Sequence, residues 1–125
     1  MAEFAPEVLT AAARQREVEI TTVGRRSGQP RRAVVWLSTD GRRLFIRSGG
    51  GLGRHWPRNL LAKAEGVLHV GGLEVPFKAR HLTDVVHARE VSHLVRAKYG
   101  PQVAHSTEGQ PPTPGEQASF ELTPG

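Results

Sequence analysis

Four arginines, Arg25, Arg26, Arg31 and Arg32, stand within residues 24–32, on either side of Ser27-Gly28-Gln29-Pro30. The middle of this stretch is turn chemistry, since glycine accepts positive φ and proline presets a bend. The arginines therefore sit on the shoulders of a hairpin tip. A guanidinium stays charged at any relevant pH, and its planar fork matches phosphate or carboxylate oxygens. The tip is read as a holder for the anionic tail of a bound cofactor, against the alternative of a solvated charged turn. A second anion-binding element follows: Ser48-Gly49-Gly50-Gly51-Leu52-Gly53 leads into an expected helix over 54–64. Such a loop presents several backbone N–H groups to one anion, and the helix dipole assists. It is no Walker loop, because no Gly-Lys-Ser/Thr follows. Trp56 stands where a dinucleotide fingerprint needs a third glycine. Taken alone, the loop also reads as a flexible connector.

Other chemistries are poorly served. The chain has no cysteine, hence no thiol nucleophile, disulfide or thiolate metal site. Its histidines form no His-x-x-x-His pair and have no acidic cluster beside them, so no metal site is expected. There is no Gly-x-Ser-x-Gly elbow, and Asp40 and Asp84 read as a turn residue and a helix cap. A chain with no side-chain engine, if an enzyme, leaves bond-making to a bound cofactor.

The elements that must position these groups are short. A thin apolar stripe predicts an N-terminal helix over 7–16. Residues 17–23 alternate as a half-buried strand. Residues 33–38 form a second strand, whose unbroken Val34-Val35-Trp36-Leu37 suggests that both faces are covered. Asp40-Gly41 turns the chain into a third strand over 44–48, with Leu44 and Ile46 inward and Phe45 and Arg47 on the opposite face. Strands over 67–70 and 73–82 flank Gly71-Gly72, and Pro76 requires a free edge or a bulge. A helix capped by Thr83 or Asp84 runs to Tyr99 and stops at Gly100-Pro101. A long loop over 101–117 precedes a last strand over 118–123. The fold class is mainly β (α+β): residues 1–125 as a single domain, a six-stranded antiparallel split β-barrel with flanking helices.

The 125 residues suit one modest core, and the net charge of +5 favours an anionic partner. No apolar run reaches membrane-spanning length, and no secretory leader opens the chain, so no integral membrane segment and a cytoplasmic location are expected. Nucleic acid is not the expected partner: aromatics are few and no reader motif appears.

One family accounts for many of these residues together. The run Ile20-Thr-Thr-Val-Gly-Arg-Arg-Ser-Gly-Gln-Pro-Arg31, then Val35-Trp36, Asp40-Gly41, Leu44-Phe45, Ser48, Gly50-Gly51, Trp56-Pro-Arg-Asn-Leu60 and Val70-Gly71-Gly72, resembles the deazaflavin-dependent nitroreductase family. That family lies within the FMN-binding split-barrel superfamily, related to pyridoxamine-phosphate oxidases. The likeness covers residues 18–84. It implies a split barrel, usually a homodimer, that binds the deazaflavin coenzyme F-420 or, in cousins, FMN. By the family pattern Arg25, Arg26 and Arg31 contact the phosphate and acidic tail. Ser48, Gly49, Gly50 and Gly51 line the ring and ribityl path, with Trp36 in the same set. Trp56, Arg58 and Asn59 close the other side. The chain departs from the pattern at Gly49, where many relatives carry lysine; Arg54 or Lys63 would have to substitute. It also has a single C-terminal tyrosine, Tyr99.

The resulting expectation is an oxidoreductase passing a hydride from reduced F-420 to an electron-poor organic substrate: an enone, a quinone or a nitro compound. Tyr99, His87 and Ser48 are the candidate proton donors. The alternatives are an FMN-dependent oxidoreductase, or a non-redox protein binding an anionic ligand on the same barrel.

Overall fold

The structure, a computed structural model, describes residues 3–125. Six strands form where the sequence alternates: β1 (Val18–Val23), β2 (Pro30–Thr39), β3 (Leu44–Arg47), β4 (Glu65–Val70), β5 (Leu73–His81) and β6 (Ser119–Pro124). They close into an antiparallel barrel in the order β1-β2-β3-β6-β5-β4, with β4 returning to β1. The turns are set by local chemistry. Gly71 and Gly72 take φ of 58° and 77°, the two positive values a two-residue type I′ hairpin needs. The Asp40 carboxylate accepts the N–H groups of Arg42 and Arg43 at 3.0 and 2.7 Å, fixing the β2–β3 turn. Regular pairing of β5 with β6 ends at Phe77, and Pro76 lies just past it, where its carbonyl accepts the Gly125 N–H at 3.0 Å and its missing N–H costs no rung of the ladder.

Among the described residues four helices flank the barrel: α1 (Pro6–Arg14), α2 (His55–Ala62), α3 (Val85–Tyr99) and α4 (Pro114–Gln117). A 3-10 turn over Gly51–Gly53 precedes α2. Asp84 caps α3, its carboxylate accepting the Val86 N–H at 2.9 Å, and Gly100 ends it at a φ of 119°. Inside the barrel Ile20, Leu37, Leu44, Ile46 and Leu68 are fully buried, and Val8, Ala12, Trp56 and Leu60 of α1 and α2 join the same cluster. Period two sends Phe45 and Arg47 to the outer face of β3, where α3 covers them. Phe45 packs there with Leu82, Val91, Val95 and Tyr99 as a second core. Burying that one ring stabilises the contact of α3 with the barrel by about 2–3 kcal/mol.

Two expectations change. The outer face of β2 is not fully covered: Val34 is 59% and Trp36 40% exposed, while Val35 and Leu37 point into the core. The cause is that α3 reaches only one end of that face, where the Tyr99 ring stacks on Trp36 with centroids 4.1 Å apart. Nor are residues 101–117 a structureless loop. Their last four form α4, with a capping box in which Thr113 accepts the Glu116 N–H and Glu116 accepts the Thr113 N–H. Among the described residues, no helix is long and apolar enough to cross a membrane.

Candidate functional site

The arginine tip is a tight turn between β1 and β2. The Gly24 N–H donates to the Gln29 carbonyl and the Gly28 N–H to the Gly24 carbonyl, both at 2.8 Å, with Gly28 at a φ of 70°. The tip does not stand free. Asn59 of α2 is buried, and its Oδ1 accepts the Arg25 N–H at 3.2 Å and the Arg25 Nη1 at 3.1 Å. Its Nδ2 donates to the Thr22 hydroxyl at 3.1 Å, so one amide locks helix to hairpin. Arg25, Arg26, Arg31, Arg32, His55 and Asn59 line a cavity of about 370 Å³. Among the described residues no carboxylate lines it, and of its four arginines Arg32 is ion-paired, with Glu19 at 3.2 Å, so it is an electropositive bowl.

A second cavity, of about 420 Å³, opens beside the glycine loop. Ser48, Gly49 and Gly50 form one wall, and Trp36 and Val34 of β2 another. Trp56 forms the base, packed on Phe120 with centroids 5.8 Å apart. Thr113, Pro114 and Gly115, together with residues 102–104, close the far side. The two cavities share no lining residue among the described residues; Arg54 and Trp56 line this one, and His55, between them in the chain, lines the tip cavity. The Ser48 hydroxyl is buried against this cavity and has no hydrogen-bond partner among the described residues. A polar group so placed costs about 1–3 kcal/mol if left unpaired, and Ser38 Oγ on β2, outside this lining, is a second such group.

The structure therefore divides the residues singled out from the sequence. Arg25, Arg26, Arg31 and Asn59 gather at the tip, and Trp36, Ser48, Gly49, Gly50 and Trp56 at the second cavity. Gly51 is buried behind that cavity against Pro114, at a φ of 84°. Arg58 is exposed on α2 and lines neither. Of the residues suggested to replace the missing loop lysine, Arg54 lines the cavity, whereas Lys63 lies beyond α2 with its ammonium 3.3 Å from Glu65.

Among the proton-donor candidates only Ser48 reaches the site. His87 packs edge-on to Phe45 on α3, outside both linings. The Tyr99 hydroxyl faces backbone instead: it accepts the Leu37 N–H at 3.2 Å and donates to the Arg16 carbonyl. Burial raises its pKa, opposed by the Leu37 backbone bond and the Arg16 charge. Tyr99 is thus a structural strut and the backing of Trp36. Tyr99→Phe is expected to cost about 1–2 kcal/mol in urea unfolding and to leave the pH profile of turnover unchanged.

Sequence reading missed Arg47 and Glu116. Arg47 lines the second cavity although only 8% exposed. Its Nη1 donates to Ser92 Oγ and its Nη2 to the Ala104 carbonyl, both at 2.7 Å. Ser92 Oγ donates onward to Glu116 Oε2 at 2.8 Å. Glu116 is 1% exposed, yet its carboxyl is held at about 2: burial opposes ionisation, and bonds from Ser106, Thr113 and Ser92 outweigh it. Burial lowers the Arg47 pKa and the Glu116 charge opposes that. The network ties the segment closing the cavity to α3. Its one legible sign was the Thr-x-x-Glu spacing of Thr113 and Glu116.

Comparison with known proteins follows the same lines. The structure is similar to that of an F-420 reductase, with a TM-score of 0.66 at 17% identity, over 98% of this chain and 96% of that one. An F-420-H2 dependent reductase (FDR-A) gives a TM-score of 0.63 at 22% identity, over 86% of this chain and 94% of that one. A structure described as a domain-swapped dimer gives 0.65 at 19%, over 86% and 80% of the two chains. At these identities the likeness is one of fold, the split barrel expected from the sequence. No curated protein sequence matches the chain. The family model described as "Uncharacterized protein conserved in bacteria (DUF2255)" matches residues 8–119, and the protein belongs to that family.

Proposed function

We propose that this protein is a deazaflavin-dependent oxidoreductase that passes a hydride from reduced coenzyme F-420 to an electron-poor organic substrate: an enone, a quinone or a nitro compound. The observation that carries the reading is the pair of cavities to which consecutive residues at the start of α2 contribute. One is a cationic bowl with no carboxylate in its lining among the described residues, and the other an aromatic-walled cavity with an unpartnered hydroxyl. A cofactor with a flat ring at one end and an acidic tail at the other needs both. The names of two structures of the same fold, an F-420 reductase and an F-420-H2 dependent reductase, support it.

In this reading Arg25, Arg26 and Arg31 hold the tail, and Asn59 positions Arg25. Ser48 and the Gly49-Gly50 backbone meet the polar edge of the ring, with Trp36 and Trp56 providing apolar walls that exclude water. Arg54 takes the place of the missing loop lysine. When bound, the reduced deazaflavin supplies the hydride. The protein's part is to orient the ring, keep bulk water off it and hold the acceptor. A second copy of the chain completes this reading, which a structure of the same fold described as a domain-swapped dimer supports; Val34 and Trp36, exposed at the cavity wall, are the surface assigned to it. The reading places the reaction in the cytoplasm.

The second reading, a non-redox binder of an anionic ligand, draws on Gly49 and on the commitment of the Tyr99 hydroxyl to backbone. Incubation with reduced F-420 and a panel of enones, quinones and nitroaromatics separates the two. Oxidation of the coenzyme on at least one acceptor is expected. Binding without oxidation on any of them favours the second, and reduced FMN in a parallel panel tests the FMN-dependent alternative.

A further inference from the structure

We propose that residues 101–112 form a hinged strap over the second cavity, held shut by a clasp of Arg89, Ser106 and Glu116. The inference rests on the reading of that cavity as the ring site and adds the way into it. Gln102, Val103 and Ala104 of the strap make one side of the cavity. Among the described residues, the backbone–backbone bonds of the strap run from the Val103 N–H to the Gly100 carbonyl at 3.3 Å and from the Gln110 N–H to the Thr107 carbonyl at 3.0 Å, and neither reaches a strand. Within 101–112 only Val103 and Ser106 are buried. Side chains hold the strap instead. Arg96 Nη1 donates to the Pro101 and Val103 carbonyls at 2.7 and 2.6 Å, and Arg89 Nη2 to the Gln110 carbonyl at 2.8 Å. Arg47 Nη2 donates to the Ala104 carbonyl at 2.7 Å. A segment with little buried apolar surface and few backbone bonds opens locally, ahead of the core.

The clasp centres on Ser106. Its hydroxyl donates to Glu116 Oε1 at 2.6 Å and accepts Arg89 Nε at 2.9 Å, while its N–H donates to Glu116 Oε2 at 3.1 Å. Glu116 belongs to α4, whose capping box with Thr113 uses no residue of the strap, so the rim at 113–115 stays in place when Ser106 leaves. The near hinge is Gly100, which ends α3 at a φ of 119°. The far end is Pro111-Pro112, directly before the capping box. Opening separates Ser106 from Glu116 and Ala104 from Arg47, and uncovers the side of the cavity made by residues 102–104. The Glu116 carboxylate then keeps the Ser92 hydroxyl and the Thr113 N–H, so the open state leaves no bare buried charge. Arg47 lines the cavity and holds the strap at once, so occupancy of the cavity and closure of the strap share one side chain.

Native-state hydrogen exchange of the apoprotein, read by NMR at the Ser106 amide across low urea concentrations, tests this. The amide is bonded and buried, so it is expected to be protected relative to a free peptide. It is also expected to exchange at least about tenfold faster than the β1 amides and with a much shallower urea dependence, as a local opening does. Ser106→Ala removes the hydroxyl and keeps the N–H, and is expected to raise the rate at that position about tenfold. Should that variant fail to fold, Arg89→Met, which cuts the clasp from α3, decides by the same rise. Exchange in step with the β1 amides and with their urea slope marks a rigid wall and overturns the proposal. So does an unprotected Ser106 amide, or a rate unchanged in the folded variants. With F-420 bound the amide is expected to slow about tenfold or more, and coenzyme retained without slowing also overturns the strap. Failure to retain the coenzyme counts against the redox reading alone, because the apoprotein exchange decides the strap.

Discussion

Replacing Arg25 and Arg31 together by alanine is expected to weaken F-420 binding by about 3–6 kcal/mol, since each charge-assisted bond contributes about 1.5–3 kcal/mol. Both arginines line the tip cavity, and the turn that carries them is closed by backbone bonds their side chains do not enter. The hairpin should therefore survive the change. Arg25 also donates to Asn59, so part of its loss is a loosened contact between tip and α2. Arg25→Lys separates the two effects: charge is kept, the planar fork is lost, and affinity recovers only in part. Fluorescence titration of the deazaflavin reads the change. Unchanged affinity for both F-420 and FMN in the double variant would remove the tip from the site.

Glu116→Gln is expected to cost about 3 kcal/mol of folding stability, because a buried acceptor of four hydrogen bonds becomes half a donor. Its carboxylate takes the Ser106 hydroxyl at 2.6 Å, the Ser92 hydroxyl at 2.8 Å, and the N–H groups of Thr113 and Ser106 at 2.9 and 3.1 Å. A glutamine NH2 would face donors at two of these places. The same bonds predict an acid limb. The native carboxyl lies at about 2 against an ordinary 4.5. A depressed carboxyl stabilises the native state above its unfolded value, and that stabilisation is lost as pH falls through the native one. About 3 kcal/mol should therefore disappear between roughly pH 5 and pH 2. Urea unfolding across that range should show the loss in the wild type and a flatter limb in Glu116→Gln. An equal acid limb in both proteins would contradict the assignment. Since the segment held by Glu116 closes the second cavity, the variant should also bind F-420 less tightly than the wild type.

The legible parts of the chain were those governed by local rules. Alternation at Glu17–Val23 and Leu73–Leu82, the Asp40-Gly41 and Gly71-Gly72 turns, and the Asp84 cap each follow from neighbours a few residues apart, and all six strands appear near their expected bounds. The arginine tip was legible for the same reason. What failed depended on distant packing. Arg47 alternates with Phe45 on the outer face of β3, and only the passage of α3 over that face decides that it is buried. The run Val34-Val35-Trp36-Leu37 looked covered on both sides because hydrophobicity does not say where a neighbouring helix ends. Glu116 lay inside a stretch whose prolines and glutamines read as loop, although its spacing from Thr113 carried a cap. Arg58 is assigned to the site by the family pattern alone, and the structure leaves it outside both cavities. On a helix, adjacent positions point about 100° apart, so it projects to solvent while Asn59 faces the hairpin.

The central claim, that the cationic tip and the glycine loop grip one deazaflavin, is tested most directly by mixing purified apoprotein with F-420 or with FMN, desalting, and recording the visible spectrum. The account predicts that F-420 is retained with its visible band and that FMN is washed away. Passage of both through the column unbound would contradict it.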